Sequence, residues 1–144
     1  MPKKLLVLPL ILFAALAGCS SDLQAIANAE NAIPQAVVLV ANTSTTLVAQ
    51  GSMTPAEGAS VAAMLTDIVN ANQHAVTATK AITALNSTTK PAIAAIVNPI
   101  ITEIQASVQS GDVFKIQNAN AKLAITTALV ALTTTLQIIQ GKVQ

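Results

Sequence analysis

Residues 123–141 read LAITTALVALTTTLQIIQG, with no charge between Lys122 and Lys142. The length suits a transmembrane helix, which needs about 17 to 25 predominantly apolar residues. Thr126, Thr127, Thr133, Thr134, Thr135 and Gln137, however, make it a poor bilayer sequence. Ile125, Leu129, Leu132, Leu136 and Ile139 recur at alternating spacings of four and three, which gathers them on one side of a helix. We therefore read a helix buried in a protein core. Its β-branched Thr and Ile lower its intrinsic propensity, so tertiary packing has to hold it.

The same spacing recurs upstream. Leu23, Ile26, Glu30, Ile33, Val37, Val40, Ser44 and Leu47 form one stripe, in which Pro34 is expected to kink the helix or to start a second piece. Val37 to Val40 is also a β-favouring run. Gly51 ends this element, and Thr54, Pro55 and Glu57 follow in the order of a capping box with proline at the first helical position. Val61, Leu65, Ile68, Asn72, Ala75, Thr79 and Ile82 continue a second stripe, expected to run to Asn86-Ser87. Thr89 before Pro91 restarts the chain, and Ile93, Val97, Ile100, Ile104 and Val108 define a third stripe with Pro99 inside it. Ser110-Gly111-Asp112 reads as a helix-ending glycine followed by an N-cap acid.

Four stripes joined by short turns predict an all-α fold, an antiparallel helical bundle of about four helices, because each helix hides its stripe against its neighbours. Ala, Val and Ile dominate the stripes, so the helices are expected near the lower end of the usual range of about 8 to 10 Å between axes. No period of 20 to 50 residues, the mark of a repeat array, is present. Glu30, Ser44 and Asn72 occupy stripe positions where an apolar residue is expected. Polar residues there can specify register or partner, unless helix rotation or a kink at Pro34 carries them to solvent; if Glu30 and Asn72 face a partner helix, Asn72→Leu is expected to raise stability while loosening the oligomeric state or partner choice.

The chain opens differently. Lys3 and Lys4 precede an apolar run from Leu5 to Ala17, too short to span a bilayer, and small residues then lead to Cys19. This is the anatomy of an export signal. Leu16-Ala17-Gly18-Cys19 resembles the lipobox of bacterial lipoprotein precursors. The resemblance covers the first twenty residues. It implies that signal peptidase recognises Leu16, Ala17 and Gly18, that Cys19 takes a diacylglycerol and that cleavage falls before it. Palmitate or a similar acyl chain would then hold the protein in a membrane of the cell envelope. Ser20, in place of aspartate, implies the outer membrane, on its periplasmic or outer face, in a Gram-negative host. Residues 1–18 would thus be a signal peptide, and residues 19–144 a single domain anchored at Cys19.

Removing residues 1–18 from the 144-residue chain leaves 126, enough for one core. With Cys19 acylated no thiol remains for a disulfide. Residues 19–144 carry five lysines, no arginine and six acids, one net negative charge, and Phe114 is their one Phe, Tyr or Trp. Nucleic-acid binding, which draws on clustered cations and stacking aromatics, is not expected. His74 is the single histidine; with Asp67 seven residues earlier it falls short of the three or four ligands a zinc site wants. Gly58-Ala59-Ser60-Val61-Ala62 imitates a nucleophile elbow but lacks the preceding strand. No metal, cofactor or enzymatic activity is expected. The expected function is a structural or protein-interaction module of the envelope, with an envelope protein as partner. The alternatives are a carrier of apolar ligands or lipids, and a phage or prophage exclusion lipoprotein.

Overall fold

The computed structural model describes residues 7–109 and 113–144, with side chains from residue 21 onward. Four helices carry the described residues: α1 (Val7–Ala49), α2 (Pro55–Lys80), α3 (Thr89–Gln109) and α4 (Ala119–Val143). They pack as a ring, α1 against α2 and α4, and α3 against α2 and α4. The diagonal pairs make no close backbone approach among the described residues. No strand occurs among the described residues, so the chain is an all-α bundle and the β-favouring run from Val37 to Val40 is helical.

The predicted stripes supply most of its core, although on α3 Ile101 is buried in place of Ile100, and Met53, Met64, Val113 and Ile116 join from outside the stripes. Ile26, Ile33 and Val40 of α1, Val61 and Ile68 of α2, Ile93 and Ile104 of α3, and Ile125, Leu129, Leu132 and Ile139 of α4 are each at most 1% exposed. Around them the interior leaves a void of about 10 Å³ between Ile33, Asn72, Ala75, Val97, Leu136 and Ile139.

The turn from α1 to α2 follows its sequence signals. Gly51 adopts φ 72°, the left-handed conformation that closes a helix. Its N–H donates to Val48 O at 3.0 Å, and Ser52 N–H to Leu47 O at 2.9 Å. The capping box forms as expected. Thr54 N–H donates to Glu57 Oε2 at 2.6 Å, and Glu57 N–H donates to Thr54 Oγ1 at 3.2 Å. Gly58 then sits where α2 crosses α1, since a Cβ added there would lie 2.8 Å from Val48 Cγ2. The elbow-like run 58–62 is therefore ordinary helix, and Ser60 Oγ donates to Ala56 O at 3.1 Å.

Of the two readings of Pro34, a second helical piece is excluded, since α1 is one element from Val7 to Ala49. Two expectations need correction. Helix α2 ends at Lys80, short of Asn86-Ser87. Beyond it Ile82 and Leu85 turn back onto the core, while Asn86 Oδ1 accepts from the N–H groups of Thr88 and Thr89 at 2.9 and 3.0 Å. Such side-chain bonds offer the backbone an alternative to further helix. Helix α4 takes its cap from Asn118, whose Oδ1 accepts from Asn120 and Ala121 N–H at 3.0 Å each. The predicted turn Ser110-Gly111-Asp112 lies outside the described residues. A short 3₁₀ turn, Val113–Lys115, follows it, with Phe114 and Lys115 at φ 50° and 57°.

Candidate functional site

The sequence placed its chemistry at Cys19 with Leu16, Ala17 and Gly18, and their side chains lie outside the described residues. His74 and Asp67 are both exposed on α2. No group of three or more His, Cys, Asp or Glu among the described residues could hold a metal ion.

The polar stripe residues, by contrast, come together at the seam between α1 and α2. Proline has no N–H, so Pro34 leaves the carbonyl of Glu30, four residues earlier, without its helical donor. Asn72 of α2 supplies one: its Nδ2 donates to Glu30 O at 3.1 Å. Two turns further along α2, Thr79 Oγ1 donates to Glu30 Oε1 at 2.7 Å. Glu30 is 3% exposed and Thr79 8%. Burial pushes the Glu30 carboxyl above its ordinary range, against the smaller opposing pulls of the Thr79 hydroxyl and the Lys80 charge. Asn72 Oδ1 is buried without a hydrogen-bond partner. A groove of about 390 Å³ opens above this cluster, lined by Leu23, Gln24, Glu30, Thr79, Lys80 and Ile82 among others.

These contacts revise the expectation for Asn72. It meets Glu30 of its own chain, so Asn72→Leu would leave a buried carbonyl unpaired instead of improving the core. The clue in the sequence was the four-residue step from Glu30 to Pro34 combined with an amide on the facing stripe. Spacing alone could not show which helix would face α1.

Glu57 is the opposite kind of acid. Its Oε2 accepts from Thr54 N–H and its Oε1 from Gln117 N–H at 2.8 Å, tying the start of α2 to the approach of α4. The bonds from the Thr54 and Gln117 backbones hold its carboxyl below the ordinary range. Asp22 pairs with Lys142 Nζ at 2.7 Å, joining the beginning of the described side chains to the last turn of α4.

The second feature is the outside of α4. The sequence reading made residues 123–141 a buried helix, but within that stretch burial is confined to the predicted stripe and Ala128. Leu123 is 66% exposed, Val130 52% and Ile138 47%. Thr127, Ala131, Thr134 and Gln137 are exposed beside them. The threonine hydroxyls donate to carbonyls one turn back, Thr127 Oγ1 to Leu123 O and Thr134 Oγ1 to Val130 O, each at 2.9 Å. By length and composition, residues 21–49, Thr89–Gln109 and Ala119–Val143 are apolar enough to cross a membrane, and α2 is not among them.

Comparison of the chain with protein-family models, with curated proteins and with solved structures finds no match in any of the three.

Proposed function

We propose that the chain is a noncatalytic lipoprotein of the bacterial envelope, anchored through acylated Cys19, with the helical bundle acting as a structural or protein-interaction module. The observation that carries this reading is the Leu16-Ala17-Gly18-Cys19 run behind two lysines and an apolar segment. Two or three acyl chains, each contributing about 0.8 kcal/mol per buried methylene, exceed the marginal hold of one chain. The roles of the acids support the noncatalytic part: Glu57 caps α2, Glu30 bonds Thr79, and Asp22 pairs with Lys142. In a Gram-negative host the protein would sit in the outer membrane.

The test is metabolic labelling with radioactive palmitate in a lipoprotein-processing host, comparing the native chain with Cys19→Ser. The native protein should carry label, lose residues 1–18 and sediment with membranes. The variant should lose label and remain unprocessed. Equal labelling of the two would overturn the assignment.

A further inference from the structure

We propose that the outer face of α4 lies against the bilayer, so that the bundle rests on the membrane by one side instead of projecting from it. The inference rests on the anchored reading above and adds the surface and the orientation.

Four observations converge. First, the face is continuous and uncharged. Leu123, Val130 and Ile138, with Thr127, Ala131, Thr134 and Gln137 between them, cover the outside of α4 over 15 residue steps, about 22 Å at 1.5 Å per residue. Exposed helix faces in water normally carry charge.

Second, its threonine hydroxyls are already engaged, which leaves the amide of the exposed Gln137 as the polar group the face offers. Thr127 and Thr134 donate to the carbonyls of Leu123 and Val130. In lipid, polar groups have to be satisfied within the protein.

Third, α4 and α2 differ in the character of their exposed faces, with α1 adding exposed Val38 and Leu39. Helices α2 and α4 are a diagonal pair without close backbone approach among the described residues, and the exposed residues of α2 include Asp67, Asn70, Gln73, His74 and Lys80. The polar helix therefore stands diagonally opposite the uncharged face.

Fourth, the face begins beside the anchor. Lys142, at the end of the uncharged stretch, pairs with Asp22, three residues after Cys19. A protein held at Cys19 thus brings this end of α4 to the lipid. The inner stripe of α4 is occupied by the core, with Leu129 and Leu132 at 0% exposure. An interfacial seat accordingly fits the helix and a spanning one does not.

The chain has no tryptophan, so one introduced residue reports its own position. The acylated protein carrying Val130→Trp is reconstituted in phosphatidylethanolamine and phosphatidylglycerol vesicles with brominated acyl chains, beside a Gln73→Trp protein with its reporter on α2. A residue seated about 5 to 10 Å into the headgroup and acyl boundary should lose about half or more of its emission to bromine. Quenching at position 130 without quenching at 73 is the expected result. Ile138→Trp repeats the test should Val130→Trp fail to fold, as read by its helical circular dichroism. Absent quenching at both α4 positions in a protein whose mass includes the acyl chains overturns the docking face and leaves the anchor standing. Crosslinking of two copies through α4 under those conditions would overturn it in favour of self-association. Quenching at position 130 in a protein whose mass shows no acyl group keeps the face and removes the anchor.

Discussion

The inner stripe of α4 and the seam between α1 and α2 solve the same packing problem with different residues. Along α4 every stripe position from Ile125 to Ile139 is apolar and at most 2% exposed. Along α1 and α2 the equivalent positions include Glu30, Ser44, Asn72 and Thr79, and still the seam closes. It closes because Pro34 opens a carbonyl that Asn72 fills, and because the buried Glu30 carboxyl finds the Thr79 hydroxyl. The difference teaches that a polar stripe residue is not a packing fault when the facing helix supplies its complement.

The comparison breaks most visibly at Leu129. Its side chain is wholly buried among apolar neighbours, so Leu129→Ala should cost about 2 to 5 kcal/mol. Urea denaturation of the unacylated chain reads this directly, and an unchanged midpoint would remove Leu129 from the core.

At the polar seam the expected loss is smaller and conditional. Asn72→Ala removes the donor to Glu30 O, for which an unpaired buried acceptor costs about 1 to 3 kcal/mol. Loss of the unpartnered Asn72 Oδ1 offsets part of that. In a Pro34→Ala background the restored N–H at position 34 can pair Glu30 O, so the same Asn72→Ala change should there cost less than about 0.5 kcal/mol, a coupling of the kind double-mutant cycles measure. Equal costs in the two backgrounds would show that Asn72 does not answer the proline.

The two glutamates sharpen the comparison through pH. Glu30, raised by burial, favours the fold below the ordinary carboxyl range and loses that contribution as pH rises through its folded value. Glu57, lowered by backbone donors, contributes above the ordinary range and loses its contribution as pH falls. Glu30→Gln should therefore remove the stability lost on going from mildly acidic to neutral pH, and leave the acid limb set by Glu57 in place. Thermal melts of the variant and the native chain across that interval check the sign; an unchanged difference between the two pH values would place the effect elsewhere.

How much could be read without the structure follows from the range of each interaction. The turn at Gly51 and the capping box at Thr54 and Glu57 involve neighbours within a few residues, and the spacing rules found them. So did the apolar stripes, whose periodicity is a property of a single helix. The early end of α2 was missed because Asn86 and Thr89 compete locally with a pattern that Ile82 continues. The exposed side of α4 was missed because an uncharged threonine-rich helix reads the same inside and outside a core.

The sequence by itself determined the helices, most of their boundaries and most of the residues that form the core. These are local, and chain neighbours, periodicity and caps carry them. Only the tertiary structure decided that Asn72 answers Pro34, that Glu57 reaches Gln117 sixty residues away and that α2 and α4 stand on opposite sides of the ring. Those outcomes depend on which helix faces which. Apolar stripes of similar composition leave that choice open until buried polar groups must find their partners.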